Sequence, residues 1–197
     1  MLVHLRRSVV FALVAIVLTF LFAFVGTGVS QLLFKHQANG SLTANGSTLI
    51  GQNWSSTNCP GHPVGSCVFQ GRPDDLGPYS GDNPLVANGK SGESAATNLG
   101  PRSKVLYADT KQLVAYWHKR GVNPTPDLVT TSGSGYDPDI TPQDALAQIP
   151  MVSKATGIDP STLRALISRE TNGAQLGFMG SSYIDVLQLN EGLARLG

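Results

Sequence analysis

The hydrophobic and polar positions divide the chain into a long uncharged N-terminal segment and a mixed remainder. From Ser8 to Phe34 there is no charged residue, and Val9 to Val25 is apolar except for Thr19. At about 1.5 Å per residue, a helix over these 27 positions reaches roughly 40 Å, more than the ~30 Å hydrocarbon core of a bilayer. The pattern therefore predicts a transmembrane helix at 8–34, between a short segment at 1–7 and a larger part at 35–197.

A cleaved signal peptide is the alternative interpretation of this segment, because such peptides also have a basic start and an apolar run. Gly26 to Gly28 would offer small residues for cleavage, but apolar residues resume at Val29, so an uncleaved anchor is favoured. Arg6 and Arg7 precede the span, and the positive-inside rule then predicts a cytoplasmic N-terminus. We therefore expect a single-pass protein of the cell membrane whose main part, 35–197, is extracytoplasmic.

The pattern after the anchor changes at Pro101. Before it, Gly, Pro, Ser and Asn dominate, and only short strands are expected, around Thr48 to Gln52 and at Val68 to Phe69. After it, apolar residues recur at helical spacing as far as Gly121, which predicts a helix.

Three further helices are predicted from their start signals. Each has a capping residue followed by a proline or by a glutamine three positions later, and the starts are Thr141-Pro142, Asp159-Pro160, and Asp185 with Gln188. Pro150 is expected to kink or break the first of them. The last should pack through one apolar face, formed by Val186, Leu189, Leu193 and Leu196.

Charge and cysteine content narrow the classes of partner. The 14 Lys and Arg residues nearly balance the 13 Asp and Glu residues, so there is no basic stripe of the kind that binds nucleic acid. Cys59 and Cys67 lie in the part expected outside the cell, where disulfides persist, and a disulfide between them is favoured. A metal site using His62 is the alternative, but its spacing fits no strong zinc pattern, and no metal is expected.

The stretch TTSGSGYDPDITP, from Thr130 to Pro142, invites comparison with glycine-rich functional loops. A dinucleotide-binding fingerprint needs glycine where Pro138 stands, and a nucleophile elbow needs glycines two residues from the serine, whereas Ser134 has them adjacent. PLVANGKS, from Pro84 to Ser91, misses the first glycine of a phosphate loop. By composition alone the stretch predicts a strand end, two turns and a helix start.

The same stretch resembles the signature of the C subunit of the Kdp-type potassium-transporting P-type ATPase, T-x-S-G-S-G-L-D-P-x-I-(S/T), with Tyr136 in place of leucine. The matching positions are Thr130, Ser132, Gly133, Ser134, Gly135, Asp137, Pro138 and Ile140. Further similar segments follow the family order: QANGS at Gln37, GSTLIGQ at Gly46, Arg72-Pro73, the turn of Asn98, Leu99, Gly100 and Pro101, FMG at Phe178, and IDVLQLN ending at Asn190. Departures from the pattern are Asp185, where the family usually has asparagine, and the cysteine-containing region 53–80.

The resemblance implies an α+β extracytoplasmic domain with a single N-terminal transmembrane helix, acting as an accessory subunit without a catalytic site. Its implied partners are a channel-like potassium-translocating subunit, a P-type pump subunit, a small single-helix subunit and membrane lipid. Potassium and ATP are then handled by the complex, and no cofactor is expected on this chain. The residues of the signature, together with Gln148, form the candidate interaction loop.

Two functions from other classes remain as alternatives. The stretch ISRETNGAQLGFMG is similar to glycan-cleaving transglycosylases and would make Glu170 the proton donor, although Thr171 replaces the expected serine and the second half of the motif departs too. A membrane-anchored extracytoplasmic binding module would share the anchor and the disulfide. For Glu170, an ion pair with an arginine on its own helix is favoured over catalysis.

Overall fold

A computed structural model describes residues 2–73 and 96–197, and the chain forms two compact units, 1–42 and 43–197. The first unit contains α1, Leu2–Leu33, and a short helix α2, Lys35–Ala38. Helix α1 is long and apolar enough to cross a membrane, and none of its side chains is buried within the protein. The hydroxyl groups of Ser8, Thr19 and Thr27 donate to carbonyl oxygens one turn earlier, as Thr19 does to Ala15 at 2.8 Å, so these three groups carry no unmet hydrogen bond into an apolar medium.

In the described part of the second unit the regular structure is helical, apart from one small antiparallel sheet. Its elements are α3, Lys104–Lys119; β1, Asp139–Ile140; α4, Pro142–Thr156; α5, Pro160–Glu170; β2, Ile184–Asp185; and α6, Val186–Ala194. Strands β1 and β2 pair in the register Asp139 with Asp185 and Ile140 with Ile184. Short 3₁₀ turns occur at Trp54–Ser56 and Asp127–Val129. The expected α+β class with one N-terminal apolar helix is confirmed.

The predicted helix starts are confirmed by their caps. Thr141 accepts a hydrogen bond from the backbone N–H of Asp144, and the Asp144 carboxylate accepts one from the Thr141 N–H, which completes a capping box. Asp159 caps α5, and Asp185 caps α6 by accepting from the Gln188 N–H at 2.9 Å. These side chains satisfy backbone donors that the first turn of a helix leaves free.

Apolar faces of α3 to α6 enclose the core of the second unit. Trp117 is fully buried, and its indole N–H donates to the carbonyl oxygen of Leu128 at 2.9 Å, so its one polar atom is satisfied. The other large, fully buried apolar side chains are Phe69, Leu113, Leu128, Leu163, Ile184, Leu189, Val122 and Val152. Phe69 comes from the irregular region before Pro101, so that region takes part in the core.

The strands predicted before Pro101 are wrong, because Thr48 to Gln52 and Val68 to Phe69 form bends and irregular backbone. Of the kink or break predicted at Pro150, the break does not occur, since α4 continues to Thr156. Pro150 and Leu146 lie on the exposed face of the helix. Water can therefore donate to the Leu146 carbonyl oxygen in place of the N–H that proline lacks.

The apolar face of α6 is shorter than predicted. Val186, Leu189 and Leu193 are buried, but the helix ends at Ala194, and Leu196 beyond it is 42% exposed. The stretch PLVANGKS, which was compared with a phosphate loop, lies outside the described residues.

Candidate functional site

The loop at 130–138, called the signature loop below, is folded by its own hydroxyl and carboxylate groups. The Ser132 hydroxyl accepts from the Gly135 N–H at 3.0 Å, and the Ser134 hydroxyl accepts from the Tyr136 N–H at 3.2 Å. The Asp137 carboxylate accepts from the Asp139 N–H at 3.1 Å. Gly135 has φ 72°, which side-chain-bearing residues rarely adopt. The polar residues of the signature therefore hold the shape of the loop.

Arg72 joins the two ends of the signature loop. Its Nη2 donates to the carbonyl oxygen of Thr131 at 2.9 Å and to that of Thr130 at 3.3 Å. Its Nη1 lies 3.6 Å from Oδ2 of Asp137. Because the two charged side chains are 23% and 30% exposed, the ion pair alone contributes little, and the geometry of the guanidinium fork matters more.

Arg72 follows a backbone segment that two side-chain amides hold in place. The Gln148 amide accepts from the Gln70 N–H at 2.7 Å and donates to the Gln70 carbonyl at 3.0 Å. One residue earlier, Asn190 accepts from the Phe69 N–H at 2.8 Å and donates to the Phe69 carbonyl at 2.9 Å. We call these two side chains the amide clamp. They satisfy the backbone groups that a neighbouring strand would have bonded, which explains why no strand forms here.

The segment before the amide clamp is closed by a disulfide. Cys59 and Cys67 are bonded, with an S–S distance of 2.07 Å, and the Gln70 side chain donates to the Gly65 carbonyl within the same loop at 2.6 Å. The disulfide and Gln70 thus shape the chain that leads to Arg72.

The GSTLIGQ segment supplies the other wall of the site. The Gly51 N–H donates to the Tyr136 carbonyl at 2.8 Å, and a Cβ at Gly51 would lie 2.5 Å from the Asp137 carbonyl oxygen. Only glycine permits this approach. Beside it, a shallow groove is lined by Leu49, Ile50, Arg72, Ser132 to Ser134, and Tyr136 to Pro138.

Three carboxyl groups lie near the base of the signature loop. Burial, together with the charges of Asp137 and Asp185, raises the pKa of Asp139 to about 6. Burial also raises the pKa of Asp185, while hydrogen bonds from the backbone N–H groups of Gln188 and Leu187 oppose the change. Within 2–73 and 96–197, no group of three or more His, Cys, Asp or Glu side chains is arranged to hold a metal ion.

Comparison with known proteins identifies the family. A sequence model described as "KdpC: K+-transporting ATPase, c chain" matches residues 5–195. The chain belongs to the KdpC family. Similar proteins named "Potassium-transporting ATPase KdpC subunit" include that of Gloeobacter violaceus, 39% identical over 171 residues, covering 83% of this chain and 80% of the relative. Those of Sorangium cellulosum, 36% identical over 200 residues with 96% of each chain covered, and Bacillus cereus, 34% over 208 residues with 97% of each, are also similar.

Membership of the KdpC family confirms the family predicted from the signature. The function of this chain is that of an accessory subunit of the Kdp potassium-transporting ATPase, and no catalytic role is indicated for it. The transglycosylase and binding-module alternatives are not supported. Glu170 forms an ion pair with the adjacent Arg169, with Oε1 and Nε 2.9 Å apart.

The KdpC signature residues do not all meet at one place. Gln148 supports the signature loop only through Gln70, because it is fully buried and both atoms of its amide are bonded to that backbone. Pro73 follows Arg72 and is buried. The residues from Asn98 to Pro101 lie apart from the signature loop and lead into a turn closed by the N–H of Ser103, the cap of α3, which donates to the Gly100 carbonyl at 2.9 Å.

Sequence reasoning missed Gln70 and Asn190 as supports of this KdpC site. Asn190 was noted only as the last residue of the IDVLQLN match. Its amide lies next to the apolar positions Leu189 and Leu193 of α6, and this position could have indicated a buried polar side chain. A buried polar side chain must find partners, and these partners lie 121 residues away, at Phe69.

Proposed function

We propose that this chain anchors in the cell membrane through α1, with its N-terminus in the cytoplasm and the unit 43–197 on the extracytoplasmic side. Arg6 and Arg7 before the apolar helix support this orientation. The Cys59–Cys67 disulfide supports it independently, because disulfides persist in oxidising compartments and are rare in the cytosol.

The outer unit assembles with the channel-like potassium-translocating subunit, covers its ion entrance, and leaves ATP hydrolysis to the P-type pump subunit. The observation that carries this role is the use of polar groups in the signature loop. The hydroxyl of Ser132, the carboxylate of Asp137 and the guanidinium of Arg72 are all engaged in holding the loop. A loop so constrained suits a fixed contact surface, because preorganisation lowers the entropy cost of association.

Helix α1 packs laterally against the membrane helices of its partners, which include the small single-helix subunit. None of the α1 side chains is buried within this chain. At Gly26 and Gly28 an added Cβ would meet nothing within 4 Å, so another helix can approach the backbone closely there. Van der Waals contacts and surrounding lipid would then hold the anchor.

The test is to express the ATPase with and without this chain, purify it in mild detergent, and measure potassium-stimulated ATP hydrolysis. Loss of assembly or of potassium-dependent turnover on omission is the expected result. Normal turnover without the chain would refute the role. Protease added outside intact cells should digest the unit 43–197, and protection of that unit would refute the orientation.

The signature loop is tested separately with Gly133→Glu. A Cβ added at Gly133 meets no atom within 4 Å, so the start of a side chain fits there, and Gly133→Glu should leave the fold intact while blocking a contact surface. Ala165→Glu on the exposed face of α5 is the matched control. We expect only Gly133→Glu to weaken copurification, and equal recovery of both variants would exclude the loop as a contact.

A further inference from the structure

Between α5 and β2 the chain forms a hairpin that projects apolar side chains. Asn172 and Tyr183 exchange two backbone hydrogen bonds, of 2.8 and 3.0 Å, and Gln175 and Met179 exchange two more, of 2.8 and 2.9 Å. These four bonds fix the hairpin on either side of its turn. We call residues 176–179 the hairpin tip.

Three large apolar side chains of the hairpin tip face solvent. Leu176 is 83% exposed, Phe178 78% and Met179 53%. Together they present of the order of a few hundred Å² of apolar surface, the scale of a recognition patch rather than of scattered surface residues. Leu176 has φ 54°, a left-handed conformation that is unfavourable for a side-chain-bearing residue, so the turn holds an apolar residue outward despite backbone strain.

The charge pattern around the tip restricts what can cover it. From Thr171 to Ile184 there is no Asp, Glu, Lys or Arg, and charged residues resume only at Glu170 and Asp185 on either side. A membrane-surface segment normally carries Lys or Arg that interact with anionic lipid, and this hairpin has neither. The surface that best complements the hairpin tip is therefore an uncharged apolar surface of another protein.

We propose that the hairpin tip inserts into an uncharged apolar recess on another subunit of the same ATPase. This inference rests on the proposed function, since it requires assembly of the complex. A standard interface buries about 800 Å² on each partner, so the tip is an anchor within a larger contact. Phe178 is its central residue, because a rigid aromatic side chain buries much area at little cost in conformational entropy.

The occupant is identified by photo-crosslinking in the assembled complex. Phe178→p-benzoylphenylalanine is introduced into the full chain, the purified complex is irradiated, and the product is identified by mass spectrometry. A crosslink to another ATPase subunit is expected. A crosslink to lipid, a crosslink to a second copy of this chain, or no crosslink at all would overturn the proposal.

The energetic role is measured with Phe178→Ser, and with Val64→Ser as the control at another exposed apolar position, 50% exposed. We expect Phe178→Ser to weaken binding to the remaining subunits at least tenfold with an unchanged Tm, and Val64→Ser to bind like wild type. Equal binding by both variants overturns the tip proposal alone. Failure of the wild-type chain to bind overturns the proposed function and this inference with it.

Discussion

The amide clamp makes a sharp prediction at Gln148. Gln148→Leu keeps a side chain of similar size in α4 but removes both hydrogen bonds to the backbone of Gln70. Gln70 is only 2% exposed. The N–H and carbonyl of Gln70 are then buried without partners. Water cannot readily replace them, because Gln148 itself is fully buried.

The expected loss follows from the cost of unpaired buried polar groups. Each such group costs about 1–3 kcal/mol, so leaving both groups of Gln70 unpaired in Gln148→Leu should lower the free energy of unfolding by roughly 2–6 kcal/mol. A typical domain has only about 5–15 kcal/mol in total, so the effect is large. It should also loosen Arg72, two residues further along the chain, and with it the signature loop.

Urea unfolding of the full chain in detergent, followed by tryptophan fluorescence, measures this change, because Trp117 lies fully buried in the core. Gln143→Leu on the exposed face of the same helix is the control and should change the free energy of unfolding by less than about 0.5 kcal/mol. A loss below about 1 kcal/mol for Gln148→Leu would refute the clamp as a structural support.

Three further substitutions test the surroundings of the signature loop. Asp139 has a pKa of about 6 in the folded protein, compared with the usual 3.8. The stability that it contributes while protonated is therefore lost as pH rises through 6. Asp139→Asn should therefore stabilise the protein at pH 7.5, by about 1–2 kcal/mol after allowance for partial exposure, and have no effect near pH 3.5. A pH-independent difference in urea unfolding would contradict this. Gly51→Ala should cost about 1–3 kcal/mol in thermal unfolding, because its Cβ would lie 2.5 Å from the Asp137 carbonyl oxygen, and an unchanged Tm would exclude that approach. Thr141→Val removes the cap of α4 and should cost about 1 kcal/mol in the same assay, whereas no loss would mean that the cap is dispensable.

The carboxyl group of Asp185 illustrates how a departure from the family pattern is accommodated. Asparagine, the usual family residue expected from the resemblance, would cap α6 equally well. Aspartate keeps the cap by accepting from the Gln188 N–H, but it lies opposite Asp139 in the register of β1 and β2. Burial and the charge of Asp137 raise the pKa of Asp139 most, and the charge of Asp185 adds to them.

Local signals in the sequence were sufficient for the helices and for the family. The run from Ser8 to Phe34, the proline and aspartate caps of α4 to α6, and the signature from Thr130 depend on neighbouring residues, and periodicity and capping are local physical effects. The disulfide was also favoured from the sequence, because both cysteines of the chain, Cys59 and Cys67, lie in the part expected outside the cell, and they are bonded.

The tertiary structure alone decided how the site is supported. Val68 to Gln70 have the composition of a strand, but the amide clamp, from α4 and α6, bonds their backbone instead. Pro150 remains within its helix because of the face on which it lies, and Arg72 meets the signature loop across 59 residues of sequence. A sequence specifies which polar groups must be satisfied when buried, but the identity of their partners depends on which distant segments the folded core brings together.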